Sequence, residues 1–93
     1  MTDPAYEIVL APPARRAIVD ELPEAVATAV IDFITTVLLD NPHRVGEPLR
    51  EDLDGIWSAR RGTYRVLYRI HQDRREVIVQ RIDHRRDAWR PLA

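Results

Sequence analysis

The order of apolar and polar positions divides the chain into a helical half and a β half. "YEIVL", Tyr6 to Leu10, is β-prone and is stopped by Ala11-Pro12-Pro13, so it predicts a first strand. Proline suits a helix start, and "PPARRAIVDEL" places Ala14, Ala17, Ile18 and Leu22 on one stripe, which predicts a short helix. Pro23 ends it and opens a second helix, in which Val26, Val30, Phe33, Ile34, Val37 and Leu38 recur at helical spacing. Asp40-Asn41-Pro42 closes that helix, and the polar segment His43 to Asp54 reads as an ordered loop.

Beyond Gly55 the period changes to two. Strands are predicted at Ile56 to Arg61, Tyr64 to Ile70 and Val77 to Asp83, with Gly62-Thr63 as a tight hairpin turn and "HQDRR" as the next turn. The tail "HRRDAWRPLA" allows one helical turn and an extended end. The order β-α-α-β-β-β argues for an α+β fold: a small, mostly antiparallel sheet with the two N-terminal helices packed on one face. With 93 residues, 45% of them hydrophobic, one core is expected, hence a single domain over 1–93. No segment has the roughly 18 apolar residues of a membrane span, and "MTDPAYEIVL" lacks the pattern of a signal peptide. A cytoplasmic protein without membrane contact is therefore expected.

Charge changes the picture. Residues 1–48 carry three arginines against eight acids, net −5, whereas residues 49–93 carry eleven against seven, net +4. Every basic residue other than histidine is arginine, whose planar fork suits bidentate phosphate contacts and does not shuttle protons. Four of them, Arg60, Arg61, Arg65 and Arg69, fall inside the predicted hairpin. Alternation sets Tyr64, Val66, Tyr68 and Ile70 on one face and Arg65, Leu67 and Arg69 on the other, with Ser58 and Arg60 joining the second. An arginine-lined face for a polyanion is one reading. The other is an ordinary solvated sheet face, its arginines paired with Glu51, Asp52, Asp54 and Asp83.

Cysteine is absent, which excludes disulfides and thiolate chemistry. His43, His71 and His84 are too widely spaced to suggest a metal site, and no cofactor is expected.

"WSARRGTYRVLYRI" followed by "HRRDAW" resembles the RelE/ParE toxin superfamily of bacterial type II toxin–antitoxin modules, with its "W-x-x-R-x-G-x-Y-R-V-x-Y" hairpin and final "H-R-R-x-x-Y". The likeness is closest to RelE-type members of actinobacteria and includes "LPE" and "NPHRVGEPLR". It implies an antitoxin partner that wraps the toxin in a hetero-oligomer. For RelE types it also implies ribosome-dependent mRNA cleavage in the A site without a metal. Carried over by motif, Arg65 matches the arginine on the scissile phosphate, and Arg85 and Arg60 complete the expected catalytic set. Arg50, Trp89 and His84 fall at expected substrate-binding positions. Two positions depart from the pattern: Ser58 replaces a cation, and Trp89 replaces a tyrosine. Tryptophan keeps the capacity to stack on a base, a contribution of about 1–3 kcal/mol, but not the phenol. His84 has a suitable ordinary pKa for a general base, and a packing role is the alternative.

Three functions stay open at this level. One is the mRNA interferase. A second is a ParE-like toxin that poisons gyrase, or a weak relative acting through its antitoxin complex. The third is a plain nucleic-acid-binding module.

Overall fold

The computed structural model describes residues 6–48 and 55–84. The first strand, β1 (Glu7–Leu10), leads into helix α1, which opens at Pro12–Arg16 and continues as a wider π-type turn over Ala17–Glu21. Helix α2 runs as a regular helix over Glu24–Asp32 and in the wider form over Phe33–Leu38. In the wide part the Thr35 and Thr36 hydroxyls donate to the carbonyls of Ile31 and Asp32 at 2.8 and 2.5 Å, one turn back. A short helix α3 (Pro42–Val45) and a two-residue strand β2 (Glu47–Pro48) follow, and then β3 (Trp57–Arg61), β4 (Tyr64–His71) and β5 (Glu76–His84). Among the described residues no helix is long and apolar enough to cross a membrane.

The five strands form one sheet in the order β1-β5-β4-β3-β2. β1 lies parallel to β5, and the remaining pairs are antiparallel. The fold is α+β, as the order of patterns implies, with two additions. α3 and β2 occupy what reads as loop in the sequence, because they are too short to carry a period and are held by tertiary contacts.

One of those contacts is Tyr68, fully buried, whose hydroxyl donates to the Pro42 carbonyl at 2.6 Å. Its ring stacks on Trp57 at 6.3 Å between centroids, and Trp57 takes the edge of His43 at 5.5 Å. Gly46 fits into the same corner because a Cβ there would collide with the Tyr68 hydroxyl and lie 2.7 Å from the Ser58 carbonyl oxygen.

The helices cover one face of the sheet. Ala14 and Ala17 of α1, Val30, Phe33, Ile34 and Leu38 of α2, and Ala59, Tyr64, Val66, Tyr68, Val77, Val79 and Ile82 of the sheet form one buried cluster. Val26 and Val37, on the predicted α2 stripe, are partly buried at its rim. The β4 alternation is reproduced: Tyr64, Val66 and Tyr68 are buried and Arg69 is exposed.

In β5 the period of two is broken. Tyr68 pairs with Val79 but Leu67 pairs with Arg81, so Gln80 is an extra residue, a β-bulge. The bulge rephases the strand. Val77 and Val79 face the core, and Ile82 returns to it three residues later instead of Arg81.

Candidate functional site

Among the described residues no helix covers the second face of the sheet, and three of the four hairpin arginines, Arg60, Arg65 and Arg69, belong to it. Gly62 and Thr63 connect β3 and β4 as a two-residue loop, and the positive φ of 59° at Gly62 meets the need of a type II′ turn at its first position. That turn fixes the register, and in it Arg60 stands directly across from Arg65. Opposed residues on neighbouring strands have Cβ atoms about 4.5–5.5 Å apart, and two like charges so placed destabilise the sheet. Neither has an ion-pair partner among the described residues. Among the described residues the register therefore sets two arginines directly opposite each other, at an electrostatic cost that a bound anion would remove.

The other hairpin arginines have different duties. Arg61 belongs to the covered face, where its guanidinium lies 5.3 Å from the centre of the Phe33 ring. There it caps the Phe33–Tyr64 edge contact, centroids 6.1 Å apart, as a cation–π partner. Arg69 shares the open face with Arg65 but sits four residues along β4, roughly 13 Å away at strand rise. Its guanidinium packs toward the turn at Gly55, where a Cβ would come within 2.7 Å of Nη1.

Across β4 from Arg65, on β5, stands Asp83. Its Oδ1 accepts a hydrogen bond of 2.7 Å from Arg81 Nε. The solvated-face reading of the sequence paired Asp83 with the hairpin arginines; the structure gives it to Arg81. The other acids of that reading, Glu51, Asp52 and Asp54, lie outside the described residues, as do Arg50, Arg85 and Trp89.

His84 pairs with Tyr64, which is buried beneath the helices, so strand alternation sets it on the covered side of the sheet. The structure thus brings Arg60 and Arg65 together and places His84 behind them. Burial pushes the Tyr64 and Tyr68 hydroxyls up, Tyr68 to about 12, and both also lie on the covered side. Among the described residues, the open face next to the arginine pair offers fixed positive charge and the engaged carboxylate of Asp83. Such an arrangement has the chemistry to hold a phosphate and to stabilise charge developing on it.

Sequence reasoning missed Arg81. The signal for it was present: Val77, Val79 and Ile82 are spaced two and then three apart, the mark of an inserted residue.

Comparison with known proteins gives consistent results. The family described as the ParE toxin of the type II toxin–antitoxin system, parDE, matches residues 8–89. Toxin RelG of Mycobacterium tuberculosis is 45% identical over 85 residues, covering 91% of this chain and 97% of that protein. Toxin RelE of the same organism is 42% identical over 88 residues, covering 95% and 90%. Among solved structures, the toxin–antitoxin complex RelBE2 from M. tuberculosis matches with a TM-score of 0.83 at 44% identity, over 87% of this chain and 99% of that one. The E. coli RelBE complex shares the fold, with a TM-score of 0.72 at 17% identity over 86% and 96%.

Proposed function

We propose a function from the premise that the chain belongs to the ParE toxin family of type II toxin–antitoxin systems and that its sequence is similar to the toxins RelG and RelE. It is a RelE-type toxin: an endoribonuclease that cleaves mRNA in the ribosomal A site and is held inactive by a cognate antitoxin. The observation that carries this reading is the opposed pair Arg60 and Arg65 on the uncovered sheet face. The antitoxin is supported by the 44% identical neighbour, a toxin seen in complex with its antitoxin.

The chemistry follows from what the residues can and cannot do. Guanidinium groups stay protonated, so they bind and neutralise phosphate and do not move protons. The mRNA supplies its own nucleophile. The 2′-oxygen attacks the adjacent phosphorus, the bond to the 5′-oxygen breaks, and a 2′,3′-cyclic phosphate is left. Water takes up the 2′-proton and supplies one to the 5′-oxygen. No metal is needed in this scheme. Arg65, with Arg60 beside it and Arg85 following β5, holds the negative charge that grows on the phosphoryl oxygens. Arg50 and Trp89 complete substrate binding, Trp89 by stacking on a base. His84, expected from the sequence at the substrate, lies behind the pair on the covered side and takes no part in this scheme. Ser58, across from Leu67 on the open face, leaves the site one cation short of the family pattern and makes the enzyme a slow one.

A second reading, left open by the sequence resemblance, makes gyrase the target of a ParE-like toxin; the match to the ParE toxin family favours it. Two assays separate them: cleavage of mRNA on programmed ribosomes, and supercoiling by purified gyrase. The proposal expects A-site cleavage with unimpaired supercoiling. Inhibited supercoiling without cleavage overturns it in favour of the second reading.

A further inference from the structure

A row of three charged residues crosses the open face: Arg60 on β3, Arg65 on β4 and Asp83 on β5, each directly opposite the next. Asp83 is the nearest counter-charge that the described part of the sheet offers Arg65. Were its carboxylate turned to Arg65, it would neutralise the group that has to meet the phosphate. Instead Oδ1 is taken by Arg81 Nε at 2.7 Å. The side chain of Arg81 is 68% exposed and that of Asp83 27%, so a solvent-facing arginine lies over a partly sheltered carboxylate.

The bulge decides on which face this pair lies. With an unbroken period of two, residues 81 and 83 would both follow Val77 and Val79 onto the covered face. The register shift between Leu67 and Tyr68 carries Arg81 to the open face beside Asp83. Bulges often re-aim a side chain next to a functional site, and this one re-aims a charge.

We propose that Arg81 is a positioning residue: by engaging the Asp83 carboxylate it keeps Arg65 un-neutralised for an RNA phosphate. The proposal rests on the reading of the open face as an RNA site and adds a residue that reading does not use. Arg81 acts through Asp83 and not on the phosphate itself.

The two roles are separable by a double-mutant cycle. Binding of a fluorescein-labelled single-stranded RNA to the full chain is measured by anisotropy at about 0.15 M salt, where charges beyond roughly 8 Å are largely screened. Arg81→Ala should weaken binding about threefold, the scale of an exposed ion pair. Asp83→Asn should bind at least as tightly as the natural chain. In the Asp83→Asn background, Arg81→Ala should have no further effect. Equal losses in both backgrounds would mean that Arg81 touches RNA directly, and no loss in either would mean that it does nothing for the site; each overturns the proposal. Arg60→Ala is the control for the underlying reading. If it leaves RNA binding unchanged, the open face is not the RNA site and that reading fails with the proposal; if it weakens binding, the Arg81 result judges the positioning role alone.

Discussion

The two faces of β4 are written by alternate residues of one strand and obey opposite rules. On the covered face Tyr64, Val66 and Tyr68 are buried, their hydroxyls find the carbonyls of Ala29 and Pro42, and each added contact lowers the free energy of the fold. On the open face Arg65 is set against Arg60, an arrangement that stability alone would avoid. The proposed function rests on this contrast: the covered face accounts for the fold of the hairpin, and the open face is where the proposal puts its work. Strain of this kind is expected where a site is built for a ligand that is not part of the fold.

The covered face should break first and hardest. Tyr68→Ala empties a fully buried aromatic position and orphans the Pro42 carbonyl; the expected loss is about 3–5 kcal/mol, read from urea unfolding. If the unfolding midpoint were barely moved, the tyrosine corner would not be what holds α3 to the sheet.

Alkaline pH probes the same corner more gently. Burial raises the Tyr68 hydroxyl from its ordinary 10.0 to about 12, while the Gly46 amide hydrogen-bonded to it pulls the other way. The folded state therefore holds this proton more tightly than the unfolded chain does. The stabilisation is complete below pH 10 and is lost as pH climbs from 10 towards 12. Tyr68→Phe should flatten that decline while costing about 1 kcal/mol at neutral pH for the lost hydrogen bond. An equally steep alkaline decline in Tyr68→Phe would assign it to other groups.

The smallest effect on this side is expected at Arg61, which has the opposite duty to its neighbour Arg60. Removing its contact with the Phe33 ring by Arg61→Ala should cost about 0.5–1 kcal/mol of stability and leave RNA cleavage within a few-fold of normal. A large loss of cleavage with unchanged stability would erase the distinction between the two faces.

How much of this is legible in the sequence varies with the range of the cause. The stripe Val30, Phe33, Ile34 and Leu38 and the alternation of β4 are local patterns, and both elements form where they are read. The pairing of Arg60 with Arg65 is legible too, because a two-residue turn leaves the register no freedom. The parallel placement of β1 beside β5 is not, since nothing within "YEIVL" names a partner nearly seventy residues away. α3 and β2 are hidden for a related reason: Pro42 and Gly46 are positioned by Tyr68, a long-range contact. At the site, the bulge decides the fate of Arg81 and Asp83, and strict alternation in β5 misplaces both. His84 looks like a neighbour of the arginines along the chain, yet its pairing with Tyr64 puts it behind them.

The central claim is that the open face holds a placed pair of charges whose work is on RNA and not on the fold. It is tested most directly by measuring mRNA cleavage on programmed ribosomes and urea unfolding on the same preparations of Arg65→Ala and Arg69→Ala. Arg65→Ala should lose about 10²–10³ in cleavage rate, the cost of removing one donor that stabilises developing charge, with unfolding unchanged or shifted to higher urea as the clash with Arg60 is relieved. Arg69→Ala should lose far less. Equal losses for the two variants, or a loss for Arg65→Ala that merely follows its unfolding, would contradict the account.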